Sequence, residues 1–229
     1  GTMSADAPLA DWTPRELPTA DPLVGPRVTL VPTDVTDHAM GLFEATRDGD
    51  PALWNYLSWG PFPDEAEFEQ WLARFVADPD LYTETIIDRL SGRPVGSASF
   101  MRVDQANGVI EIGSIFLGAE LQRTAAATEA LYLMMRHAMD DLCYRRLEWK
   151  CDAANARSMR AAERLGFVYE GTFRQHRIVK GHNRDTAWFS IIDSEWPAVR
   201  TALEAWLSPD NFDPDGDQLR RLEDIRAGR

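Results

Sequence analysis

Three β-rich segments in the middle of the chain constrain its fold more than any other feature. They cover residues 82–88, 94–103 and 109–117, and a short turn joins each to the next. The second turn contains Asn107-Gly108, a strong hairpin signal because both residues tolerate a positive φ. Strands joined by so few residues pair antiparallel. This region is therefore predicted to be an antiparallel meander.

The elements around the meander predict an α+β (mixed α/β) fold. An apolar helix is predicted over 123–140, followed by a strand over 145–152 and a helix over 155–165 that Gly166 ends as a left-handed cap. The other predicted elements are a strand over 27–31, helices over 34–48, over 51–57 and from Asp64, strands over 167–180 and 183–193, and a helix over 195–207. Together they give a central, mostly antiparallel twisted sheet of about seven strands with flanking helices.

Composition predicts one domain with two appendages. Residues 27–207 would form that domain, and the five prolines of residues 1–26 favour an extended arm. Residues 1–3 resemble a cloning remnant, and the polar tail over 208–229 is expected to be peripheral.

Charge and apolar patterning narrow the function classes. The chain has no apolar run of about 18 residues and no signal-peptide pattern, which favours a cytoplasmic protein. A net charge of −13 disfavours nucleic acid and membrane as partners. Cys143 and Cys151 are expected to be free thiols, and neither has neighbours at metal-ligand spacing, so no metal is predicted.

The segment after residue 110 could hold a diphosphate. A strand containing Glu111 ends near Phe116, and a helix of small residues opens after Leu121. The first amides of a helix lack partners, and its dipole favours negative charge. Such a strand, turn and helix start can bind a pyrophosphate, although close packing of the helix on the sheet explains the small residues equally well.

Four motifs in register resemble one enzyme family. They are Glu111-Ile112-Gly113, Gln122-x-x-Ala125-x-Ala127-Thr128-Glu129-Ala130, Asn155-x-x-Ser158 and Leu165-Gly166-Phe167. With this order and spacing, residues 27–192 resemble the GCN5-related N-acetyltransferase (GNAT) superfamily, and more closely its branch of ribosomal-protein N-terminal acetyltransferases. The family usually has glycine at the position of Ala125.

The resemblance implies a GNAT fold with splayed central strands and acetyl-CoA as cosubstrate. Backbone amides from Arg123 to Thr128 would hold the pyrophosphate, and Asn155 would bond the pantetheine arm, although it is also a good helix N-cap. Ser158 would protonate the leaving thiolate. The implied cofactor-binding residues are Ser114, Ile115, Phe116, Gln122, Arg123, Thr124, Ala125, Ala126, Ala127, Thr128, Asn155 and Ser158.

Acetyl transfer needs a group that takes up the proton of the amine, and a pocket that binds the amine substrate. Glu111 is the candidate base, and a structural ion pair is its alternative role. Strand amides from Ser114 to Phe116 could bind the oxyanion. Trp54, Tyr56 and Trp59, with Glu111, are the candidate substrate-binding residues, whereas Phe68 and Trp71 are expected in the core. His176, Lys180, His182, Arg184 and Asp185 could border the acceptor or the adenosine end, or be solvated charges.

The predicted function is transfer of acetyl from acetyl-CoA to a primary amine by direct attack in a ternary complex. The aromatic residues favour a small molecule slightly over a protein N-terminus. A non-catalytic acyl-CoA-binding sensor is the alternative, and a structural module is a third. The exposed edge of a mixed sheet would permit a homodimer.

Overall fold

A computed structural model describes residues 9–229, which form an eight-stranded sheet with helices on both faces. The predicted cloning remnant at residues 1–3 lies outside the described residues. The strands are β1 (Leu23–Val24), β2 (Val28–Pro32), β3 (Leu81–Asp88), β4 (Pro94–Asp104), β5 (Val109–Leu117), β6 (Arg146–Asp152), β7 (Val168–Val179) and β8 (His182–Ile192). Their order is β1-β2-β3-β4-β5-β6-β8-β7, and among these strands of the described residues only β5 and β6 pair parallel.

The predicted mixed, mostly antiparallel sheet is thereby confirmed, with eight strands instead of about seven. The additional strand is β1, which lies in the proline-rich arm and pairs with β2. The arm also bonds to distant loops: the Trp12 indole donates to Ala106 O, and Glu16 O accepts from the Tyr144 hydroxyl.

The helices follow the capping signals. They are α1 (Val35–Arg47), α2 (Glu65–Val76), α3 (Ala125–Arg136), α4 (Ala156–Leu165), α5 (Trp196–Leu207) and α6 (Leu222–Arg226). Asp34 and Asp64 cap α1 and α2 by accepting an amide of the first turn, and Gly166 ends α4 with φ 110°. None of the helices in residues 9–229 has the length and apolarity needed to span a membrane.

Three expectations from the sequence need correction. The helix predicted over 51–57 is only a 3₁₀ turn, Pro51–Trp54, because the stretch between Asp50 and Gly60-Pro61 is too short for a stable α-helix. The helix predicted to reach residue 140 ends at Arg136 and continues as a π-helical turn, His137–Asp141. The tail is not wholly peripheral, since Leu222 is fully buried in the core.

A buried carboxylate anchors α3 to the sheet. Glu129 accepts the backbone amides of Arg27 at 2.7 Å and Val28 at 2.9 Å, and the Arg27 guanidinium lies 3.0 Å away. These charge-assisted bonds satisfy an otherwise costly buried charge. The position of the α3 N-terminus is therefore tied to the start of β2.

The two central strands part after three paired residues. Val109, Ile110 and Glu111 of β5 pair with residues 146–148 of β6. Beyond them β5 continues to Leu117 and β6 to Asp152, but the two strands no longer pair with each other. On its other side β5 carries one extra residue against β4, and Ser114 at this bulge has φ 50°. The splayed central strands expected from the resemblance are present.

Candidate active site

A cleft of 1570 Å³ opens where β5 and β6 part. Its walls come from β5, β6, β8, the starts of α3 and α4, and the loop that carries Tyr56 and Trp59. At its far end it reaches Arg164 and the C-terminal tail near Phe212. A single cleft therefore joins the candidate donor residues to the candidate acceptor residues.

The N-terminus of α3 faces this cleft with free amides. Thr124 caps the helix, because its hydroxyl accepts the Ala127 amide at 3.2 Å. Within residues 9–229 the amides of Arg123, Ala125 and Ala126 donate no hydrogen bond. The positive φ of this turn, 59°, falls on Arg123 and not on Ala125. Alanine in place of the family's usual glycine therefore costs no backbone strain here.

Asn155 and Ser158 lie together at the start of α4 and line the cleft. The Asn155 side-chain oxygen accepts the Ser158 amide at 3.2 Å, so the capping role is present. The Trp149 indole donates to the Ser158 hydroxyl oxygen at 3.0 Å. Because an indole N–H can only donate, the hydroxyl proton of Ser158 is left available for another acceptor.

Glu111 lies at the point where the strands part. It is 4% exposed, with Lys150 Nζ 3.1 Å from Oε1 and Arg102 Nε 3.4 Å from Oε2. Burial raises the pKa of Glu111, while Lys150 and then Arg102 oppose the rise. Both roles predicted for Glu111 thus have a basis here: a cleft-lining carboxyl with a perturbed pKa, and a member of an ion-pair cluster.

The aromatic residues of the loop over 54–59, here named the front loop, divide between the core and the cleft. Trp59 and Tyr56 line the cleft, and the Tyr56 hydroxyl donates to Ala154 O at 3.2 Å. Trp54 is a correction: it is buried, packs 5.7 Å from the Phe116 ring and does not line the cleft. Its ring packs in the core under α1 and α2, where Phe68 and Trp71 also lie, as expected.

Two of the proposed donor residues do not line the cleft. Phe116 is fully buried in the core beneath α1 and α2, and its backbone pairs with Ser97 of β4. Ala126 packs against the main core on the inner side of α3. Of the proposed donor residues, those that line the cleft are Ser114, Ile115, Gln122, Arg123, Thr124, Ala125, Ala127, Thr128, Asn155 and Ser158.

The tip of the β7–β8 hairpin contacts the front loop. Lys180 Nζ donates to Trp54 O at 2.7 Å and to Trp59 O at 3.1 Å. These contacts tie the hairpin to the aromatic loop, whose Tyr56 and Trp59 line the cleft. Of the hairpin residues singled out from the sequence, Arg184 and His176 line the cleft, whereas His182 and Asp185 do not.

The sequence analysis missed several cleft residues, among them Lys150, Trp188 and Arg102. Lys150 lies between Glu111 and the Trp188 ring, with Nζ 3.9 Å from the ring centroid, and Arg102 approaches Glu111 from β4. A signal for Lys150 was present: in a strand whose other face is apolar, Glu148 and Lys150 alternate onto one side, which places both charges on one face.

Comparison with known proteins agrees with this geometry. The family model described as an acetyltransferase (GNAT) domain matches residues 27–168. A crystal structure of a GCN5-related N-acetyltransferase from Brucella melitensis is 47% identical, with a TM-score of 0.94 over 96% of this chain and 100% of that chain.

Two curated relatives carry acetyltransferase names. The uncharacterized N-acetyltransferase p20 of Bacillus licheniformis is 27% identical over 64% of this chain and 84% of its own length. A ribosomal-protein-serine acetyltransferase of Escherichia coli is 30% identical over 44% of this chain and 56% of its own length.

Proposed function

The chain belongs to the acetyltransferase (GNAT) domain family, and on that premise we propose how its cleft carries out the reaction. It is an N-acetyltransferase of the ribosomal-protein-acetyltransferase-like branch, and enzymes of this family transfer acetyl from acetyl-CoA to an amine. The roles of individual residues and the nature of the acceptor are the proposal.

The donor would enter between the parted strands, with its diphosphate at the start of α3. The carrying observation is the pair of free amides at Arg123 and Ala125, which line the cleft beside a gap between β5 and β6. Free N–H groups and the positive end of the helix dipole complement a diphosphate. Asn155 and Ser158 lie across the same gap, where the pantetheine arm would pass.

Three groups would then act on the reacting atoms. Glu111 would take the proton of the attacking amine, directly or through water, because a raised pKa brings a carboxylate closer to the pH at which it works as a base. A strand amide at the bulge near Ser114 would stabilise the oxyanion. Ser158, whose oxygen already accepts from Trp149, would give its proton to the departing thiolate.

The acceptor is proposed to be a small amine, or less favourably a flexible protein N-terminus. The Escherichia coli relative is named for a ribosomal-protein serine, but two tethers favour a compact acceptor here. Lys180 ties the front loop to the hairpin and Tyr56 ties it to the turn before α4, which limits how far the loop can open for a large acceptor.

An Ala125→Asp variant tests the donor site. An aspartate in the first turn favours the helix dipole but repels a diphosphate, so we expect an unchanged or higher Tm and a KM for acetyl-CoA raised about tenfold or more. Ala66→Asp, in the exposed first turn of α2, is the matched control and should leave that KM unchanged. An unaltered KM in the Ala125 variant would refute the donor site.

Three broader features are also proposed. Residues 27–207 would be the catalytic domain with the arm and tail as additions, and the protein would act in the cytoplasm without nucleic acid or membrane as partner. A homodimer is supported by the edge strand β7, which exposes Phe173 and Ile178. Sedimentation at one protomer of 25.8 kDa would refute the dimer.

A further inference from the structure

The acceptor end of the cleft contains two arginines on facing strands. Arg177 of β7 and Arg184 of β8 are register partners, so their side chains leave the same face of the sheet. Both line the cleft, and Arg184 is half-buried. Like charges directly opposite each other destabilise a sheet unless something neutralises them.

No carboxylate of the described residues forms a direct ion pair with either arginine. Within residues 9–229 neither arginine has an acidic oxygen within 4.0 Å, and Arg184 donates only to the Thr186 hydroxyl at 3.2 Å. Burial lowers the pKa of Arg184, Asp152 opposes this shift, and Arg177 lowers the pKa further, while Glu111 also opposes the shift. The two cations therefore line the cleft without a direct ion pair, and Asp152 is the strongest opposing charge near Arg184.

The pair lies on the acceptor side of the cleft. Alternation along β8 puts Arg184, Thr186 and Trp188 on one face, and Trp188 contacts Lys150, which in turn contacts Glu111. The hairpin that carries both arginines is the one that Lys180 ties to the aromatic loop. The arginines therefore share a hairpin with Lys180, and Arg184 shares a sheet face with Trp188, which is linked to Glu111 through Lys150.

We propose that Arg177 and Arg184 recognise a carboxylate or phosphate on the amine substrate, so that the acceptor class is small anionic amines. This inference rests on the proposed function and specifies its acceptor. The planar guanidinium groups would bind the anion by paired hydrogen bonds and so direct the amino group toward Glu111.

The test compares matched amines that differ only in the anion. Phenylalanine is paired with phenethylamine for the carboxylate, and O-phosphoethanolamine with ethanolamine for the phosphate. Each is titrated calorimetrically into protein saturated with CoA, which fills the donor site, and acetyl transfer is followed separately by release of the CoA thiol. We expect the anionic member of at least one pair to bind about tenfold more tightly or better.

Variants assign that preference to the arginines. Arg184→Gln and the more exposed Arg177→Gln should reduce the preference to near unity while the KM for acetyl-CoA stays within about twofold. Arg174→Gln, on the same hairpin but outside the cleft, removes the same charge and should change neither quantity.

Several results would overturn the inference. They are equal binding within both pairs, no binding of any of the four amines, a preference that survives in Arg184→Gln, and a loss confined to acetyl-CoA, which would assign the arginines to the donor. A protein that binds CoA and prefers anions but never transfers acetyl would instead refute the proposed function alone.

Discussion

Glu84, in the centre of β3, should make the protein less stable as pH rises. Burial raises the pKa of this carboxyl from 4.5 to about 8, and within residues 9–229 its Oε2 has no hydrogen-bond partner. Between those two values the folded chain keeps a proton that the unfolded chain has released, so stability falls as pH increases. The difference of 3.5 units corresponds to about 5 kcal/mol above pH 8, at about 1.4 kcal/mol per unit.

Urea unfolding of Glu84→Gln at pH 5, 6, 7 and 8 measures this effect. The amide cannot ionise, so the variant should exceed the wild type's free energy of unfolding by less than about 1 kcal/mol at pH 5 and by about 3 kcal/mol at pH 7. Glu69→Gln, which removes a charge from the exposed face of α2, is the control and should follow the wild type. Parallel pH profiles for wild type and Glu84→Gln would refute the reasoning.

Four further substitutions test the site and its support. Glu111→Gln should remove the acid-side rise of kcat/KM with pH, and an unchanged profile would leave Glu111 only its ion pair with Lys150. Ser158→Ala should lower kcat about tenfold, or about 1.4 kcal/mol, whereas Trp149→Phe, which removes only the bond to that hydroxyl, should have a smaller effect; equal losses would contradict the acid role. Glu129→Gln should lower the free energy of unfolding by about 1–3 kcal/mol in urea, and a neutral result would contradict the anchor.

Local signals predicted those parts of the fold that depend on neighbouring residues. Asp34 and Asp64 cap the helices that follow them, and Gly166 ends α4, because each motif is completed within one turn. The Asn107-Gly108 turn likewise placed β5 correctly. The helix predicted over 51–57 was wrong because the stretch between Asp50 and Gly60-Pro61 is too short for a stable α-helix, and the ring of Trp54 packs in the core with α1 and α2.

The sequence predicted only those parts of the candidate site whose residues come from a single segment of the chain. The free amides of α3 follow from the helix start itself, and the resemblance added Asn155 and Ser158. The contact of Lys150 with Glu111 could not be predicted, because it depends on the register in which β5 pairs with β6. The facing of Arg177 and Arg184 depends on a register shift between Phe173 and Arg177, and such bulges carry no clear sequence signal.

The most direct test of the account is a crystal structure of the protein with bound CoA. The account predicts diphosphate oxygens about 3 Å from the amides of Arg123 and Ala125, the pantetheine arm between β5 and β6, and the sulfur beside Ser158. A diphosphate bound away from the start of α3, or a pantetheine arm outside the parted strands, would contradict it.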